Sequence, residues 1–152
     1  MKAKASPLKS HVGFWMRMVS NSVSHSFARK LEQKGVTVAE WVVLREMFEH
    51  GDRTNPAHVA ELTGLTRGAI SKLIDRLLAK KLVTRESSAD DRRYQDIALT
   101  RSAKTLVPEL AKLADQNDGE FFACLSKKER ADLVATLQRI AEHNRLQKLP
   151  VE

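Results

Sequence analysis

Apolar positions along this chain follow two different periods, and the switch between them organises it. In residues 12–34, Val12, Trp15, Val19, Val23, Phe27 and Leu31 recur at three- or four-residue steps, the spacing of one helical face. Phe14, Met16 and Met18 widen that face. A stripe this broad calls for two partners, its own domain and a second subunit, unless one larger core takes all of it. Gly35 ends this helix, and Thr37-x-x-Glu40 is a capping box for the next, residues 38–49, which carries Trp41, Leu44, Met47 and Phe48 up to Gly51. Asn55 and Pro56 suit the N-cap and first position of a short helix to residue 63, with Val59, Ala60 and Leu62 buried. Gly64 supplies a turn and Thr66 can cap another helix. Along it Ile70, Leu73, Ile74, Leu77 and Leu78 form one stripe.

The period then shortens. Residues 82–86 and 94–100 are rich in Val, Thr, Tyr and Ile, and Ile97 and Leu99 alternate with polar neighbours. SSADDRR lies between them, so the pair reads as a two-stranded hairpin with a polar tip. Helical spacing returns from residue 102 to about 125 through Leu106, Leu110, Leu113, Ala114 and Phe121. Pro108 inside this helix is expected to remove one hydrogen bond and kink it. Ser126-x-x-Glu129 is a second capping box, opening a last helix with Leu133, Val134, Leu137 and Ile140, and with Leu146 near its end. Residues 1–10 carry no such pattern and read as a flexible basic arm.

Two features of residues 55–81 give this order a chemical meaning. Ala60, Gly64 and Ile70 supply the small crossing residue, the turn glycine and the locking apolar residue that a helix-turn-helix needs. The opposite side of the second helix carries Thr66, Arg67, Gly68, Ser71, Lys72 and Arg76. Small donors and cations at a free helix end suit a DNA major groove. The hairpin that follows is placed to reach the adjoining minor groove, where Arg is attracted.

Charge supports a polyanionic partner. The 152 residues carry a formal net charge of +7. Residues 1–30 hold six Lys/Arg and no acid, and residues 53–101 hold ten against six, whereas residues 102–152 balance at eight and eight. The excess thus lies on the first two-thirds. One cysteine, Cys124, precludes an intramolecular disulfide, and its neighbours Phe121, Phe122 and Leu125 suggest a buried, inert thiol. The five histidines show no ligand spacing, so no metal is expected. No Ser/His/Asp set, phosphate loop or carboxylate pair suggests an enzyme, and no cofactor motif is present. No apolar run is long enough for a bilayer, and the N-terminus lacks the apolar centre of a secretory signal. A soluble, cytoplasmic protein is expected.

The run LTRGAISKLIDRLLAKKLVTRESSADDRRYQDIALT resembles the MarR family of bacterial winged-helix transcriptional regulators. Asp91-Arg92-Arg93 followed by Ile97-Ala98-Leu99-Thr100 is similar to that family's wing signature, and LSKKERADLVATLQRI to its closing dimerisation helix. Ala89 and Ala103 stand where the family often has Pro and Gly. The resemblance implies a mainly α (α+β) fold, a winged helix-turn-helix over residues 35–101 with flanking dimerisation helices over 11–34 and 102–148. It implies a homodimer on a pseudo-palindromic duplex operator, acting as a repressor. Arg93 would be the wing-tip reader in the minor groove and Asp91 would hold the wing. Thr66, Arg67, Gly68, Ser71 and Lys72 would meet the major groove and its phosphates. Arg92 would touch a phosphate or balance Asp90, and Asp75 would pair across to the wing. A small aromatic effector is implied, with Phe14, Trp15, Met18 and Trp41 as candidate pocket residues or plain core. The alternative is a winged-helix protein-interaction module with weak or no specific DNA binding.

Overall fold

A computed structural model describes residues 5–87 and 95–152. The elements run α1 (Val12–Glu32), α2 (Val38–Glu49), β1 (Arg53–Thr54), α3 (Pro56–Thr63), α4 (Arg67–Ala79), β2 (Val83–Ser87), β3 (Gln95–Leu99), α5 (Arg101–Phe121) and α6 (Lys127–His143). The caps anticipated from the sequence set most of these starts. Thr37 and Ser126 each close a full capping box, with Glu40 and Glu129 returning the bond. Asn55, Thr66 and Thr100 accept from the backbone N–H three residues on, as N-cap side chains do.

Three details depart from the sequence expectations. First, the basic arm is ordered near its end. Leu8–Ser10 forms a 3-10 turn, and the Trp15 indole donates to the Lys9 carbonyl at 2.9 Å, giving its N–H a partner. Second, the hairpin gains a third strand: β3 lies between β1 and β2, with Arg53 opposite Ala98 and Val83 opposite Leu99, all antiparallel. Gly51 (φ 97°) and Asp52 (φ 64°) turn the chain from α2 into β1 through two left-handed residues. Third, α5 runs unbroken past Pro108 and ends at Phe121, where the Phe122 carbonyl accepts from Arg130 Nε at 3.2 Å. The tight α5–α6 turn leaves Cys124 exposed, so its apolar neighbours in sequence do not bury it.

Burial is concentrated in the winged helix. Val43, Leu44 and Met47 of α2, Val59 of α3, the α4 stripe, Ile97 and Leu99 of β3, and Ala103 and Val107 of α5 form one core. Leu31, Val36 and Leu110 make a second, smaller one where α1 crosses α5, with Trp41 and Leu106 touching both. Removing a side chain such as Leu77 from water stabilises by roughly 1.5–3 kcal/mol. The outer helices bury far less. Among 21 residues of α1 only Leu31 is buried, and α6 buries none. Val12, Trp15, Met16, Met18 and Val19 on α1, and Leu133, Val134, Leu137 and Ile140 on α6, are all exposed. After α6 the chain returns to the helix-turn-helix. The Leu149 N–H donates to the Leu62 carbonyl at 2.9 Å, and Lys148 Nζ donates to the Glu61 carbonyl, supplying donors to two of the last carbonyls of α3. Among the described residues no helix is long and apolar enough to cross a membrane.

Candidate nucleic-acid interface

The candidate surface is built by the two faces of α4. Ile70, Leu73, Ile74 and Leu77 are buried against α2, α3 and the sheet. Their positions three and four apart turn Thr66, Arg67, Gly68, Ser71 and Lys72 outward, and all five are exposed. Gly64 at φ 72° ends α3 in the left-handed conformation that lets the chain reverse into α4. Thr66 Oγ1 accepts from the Ala69 N–H at 3.2 Å, and its carbonyl accepts from the Ile70 N–H at 2.9 Å. The N–H groups of Arg67 and Gly68 remain at the helix opening, where the dipole favours an anion such as phosphate. A Cβ built on Gly68 would meet no atom within 4 Å. The protein's own packing therefore does not require glycine there. Neither Arg67 nor Lys72 enters an ion pair among the described residues.

The hairpin is tied to α4 by charge. Arg85 of β2 donates to Asp75 of α4 at 3.1 Å, the pairing across to the wing expected from the sequence. Arg53 of β1 pairs with Glu86 of β2, so the two outer strands are joined by side chains across β3 as well as by its ladder bonds. Asp91, Arg92 and Arg93 fall in residues 88–94, outside those described.

Arg76 lies differently from the rest of the sequence-derived set. Its Nε donates to Glu40 Oε1 at 3.3 Å, drawing it toward α2 and away from the open end of α4. Glu40 is fully buried and also accepts from Lys80 Nζ at 2.7 Å and from the Thr37 N–H at 3.0 Å. Burial pushes this carboxyl up, but the Lys80 ammonium, the Thr37 N–H and Arg76 together outweigh it and hold the group below its ordinary range. The capping box signalled Glu40. Nothing in the sequence signalled its two cations, 36 and 40 residues away.

The four candidate effector residues lie in different settings in the single chain. Trp41 packs edge-on to Phe27 at 6.2 Å within the core, while Phe14 and Trp15 pair at 5.3 Å on α1 and Met18 is exposed. A cavity of about 100 Å³ lies instead between α2, β1 and α3, with Leu149 in its wall. A shallower cleft of about 240 Å³ separates α1 from α5 beside Asn117. That buried amide accepts from Ser26 at 2.8 Å and Lys30 at 3.1 Å, a polar junction that periodicity could not reveal. His50 lies with Glu46 and Glu49, their ligand atoms within 4.8 Å, although the histidines look scattered in sequence. Arg45 pairs with Glu49 at 2.6 Å, which marks the group as surface ion pairing.

Residues 34–93 match the sequence model of the MarR family, a span that runs from α2 through β2 and stops short of β3. That stretch of the chain is similar to the MarR-family winged helix. The likeness in fold to MarR structures extends over 90–98% of the chain. A mutant E. coli MarR solved with operator DNA superposes at a TM-score of 0.74 and 20% identity, over 90% of this chain and 99% of that one. Bordetella bronchiseptica BpsR, whose DNA binding is regulated by 6-hydroxynicotinic acid, gives 0.76 and 24% over 91% and 98%. The organohalide-sensing regulator RdhR-CbdbA1625, bound to 2,4-dichlorophenol, gives 0.78 and 15% over 98% and 94%. At these identities the likeness establishes the shared MarR architecture, six helices around a small antiparallel sheet.

Proposed function

We propose that this protein is a dimeric, sequence-specific DNA-binding transcriptional regulator of the cytoplasm, acting as a repressor that a small aromatic effector releases. The observation that carries the reading is the outward face of α4. Thr66, Arg67, Gly68, Ser71 and Lys72 are exposed, the two cations are unpaired among the described residues, and Gly68 opens onto empty space. Arg67 and Lys72 meet phosphates at the groove edge, Ser71 and the backbone at Gly68 approach the bases, and Arg93 with Arg92 extends contact from the wing. A second set of observations supports the dimer: apolar faces on both α1 and α6 that the chain itself leaves uncovered. Two copies joined there present two reading helices to one duplex. An effector seated near Phe14, Trp15 and Met18, where the partner's helices close over α1, shifts the population toward a dimer with mismatched helix spacing.

Selection of bound duplexes from a random library tests this reading. An enriched inverted repeat is expected, with affinity falling steeply as salt rises because each phosphate contact releases counterions. Addition of phenolic acids is expected to release the duplex. A library that yields no enriched sequence at low salt would leave the interaction-module reading as the better one.

A further inference from the structure

The apolar stripe of α4 holds the helix down but does not by itself fix its tilt, because hydrophobic contact is non-directional. Directional bonds occur at the other end of the helix. Arg76, in the last turn, and Lys80, the residue that ends α4, both converge on Glu40. Lys80 Nζ also donates to the Gly35 carbonyl at 2.7 Å. The α1–α2 turn, the start of α2 and the end of α4 therefore meet on one buried carboxylate. α2 in turn packs on α1 and α5 through Trp41, Val38 and Leu44. A buried carboxylate with two cations is a weak device for stability alone, since its desolvation offsets much of the attraction. Its directional geometry is what an apolar side chain could not replace.

We propose that Glu40 is a positioning residue for DNA reading: by holding Arg76 and Lys80 it fixes the tilt of α4, and so the separation of the two reading ends in the dimer. The inference rests on the DNA-binding reading above. The lever is long enough to matter. Thirteen residues of α4 span about 20 Å, so a tilt of roughly 10° about the clamp moves the Thr66 end by about 3.4 Å, one base-pair step. Glu40 touches no base or phosphate. It acts through the two cations, and its loss is expected to relax the allowed spacing of half-sites while leaving the bases read within each half-site unchanged.

Glu40→Gln keeps the volume and the Thr37 bond while removing the charge. In duplex selection the unaltered protein is expected to enrich one half-site spacing. Glu40→Gln is expected to enrich the same half-sites at spacings spread by one or two base pairs, with about tenfold weaker binding to the original optimum. Lys80→Met is expected to do the same, and the double variant to be no weaker than either single one. A Glu40→Gln protein that melts earlier yet keeps the single spacing would overturn the inference, because the role would be structural only. A second readout needs no DNA. Spin labels on Lys72→Cys and Lys112→Cys, in a Cys124→Ser background diluted with unlabelled chain, report the distance between α4 and α5. Glu40→Gln is expected to broaden or shift that distribution, and an unchanged distribution overturns the clamp. If no duplex is selected by the unaltered protein but the distance broadens, the DNA reading fails and the clamp on α4 stands.

Discussion

The winged helix and the outer helices handle the same kind of apolar sequence in opposite ways. The stripe of α4 is almost wholly buried, with Leu77 at 0% and Ile74 at 4% exposure, and its polar face is left outside. The stripe of α6 has the same spacing, yet Leu133, Leu137 and Ile140 stand 38–39% exposed and Val134 53%. Periodicity alone does not separate the two. What separates them is whether the same chain supplies a partner. The winged helix is complete within one chain, whereas α1 and α6 leave their apolar faces uncovered. The proposed reading face thus lies within a single chain, and the uncovered faces of α1 and α6 are where a second copy is proposed to join.

Substitutions can break this contrast, and the largest effect is expected at the incomplete side. Leu137→Asp places a charge in the proposed seam, where an unpaired buried charge costs about 3–5 kcal/mol. The dimer dissociation constant is expected to rise more than hundredfold by sedimentation, with far-UV circular dichroism little changed. On the complete side, Leu77→Ala leaves a cavity and is expected to cost about 2–5 kcal/mol in denaturant titration. Gly68→Ala separates folding from function. Open space around it and the helix preference of alanine predict a gain of roughly 0.5–1 kcal/mol in stability. The added methyl is expected to weaken duplex binding about tenfold in a gel-shift titration, and improved stability with unchanged binding would remove Gly68 from the interface. Thr66→Ala removes the α4 cap and is expected to cost about 1 kcal/mol in the same denaturant assay.

The smallest effect is expected from acid. Glu40 is held below its ordinary value of 4.5 in the folded chain, so it binds protons less readily than when unfolded. Its contribution is fully present above about pH 4.5 and is lost as pH falls through the lower folded value. Glu40→Gln is therefore expected to flatten the acid limb of a stability–pH curve while leaving its neutral plateau shifted but level.

Much of the architecture was legible because caps are local. Thr37, Asn55, Thr66 and Ser126 announced where helices begin, and the structure starts them there. The two-residue β1 carries no period to detect and exists only through pairing with β3. Cys124 illustrates the converse limit: neighbours in sequence are not neighbours in space, and a tight turn points the thiol outward. The outward face of α4 was legible as the complement of its stripe. The capture of Arg76 by Glu40 was not, because it joins residues on separate helices whose crossing angle sequence does not specify.

The central claim is that two copies, paired through α1 and α6, read one duplex with two symmetric α4 faces. It is tested most directly by taking the selected half-site and offering it once as an inverted repeat and once as a direct repeat of equal spacing. Two chains per duplex are expected by native mass spectrometry on the inverted repeat, with binding at least hundredfold weaker on the direct repeat. Equal binding to both repeats, or one chain per duplex on the inverted repeat, would contradict it.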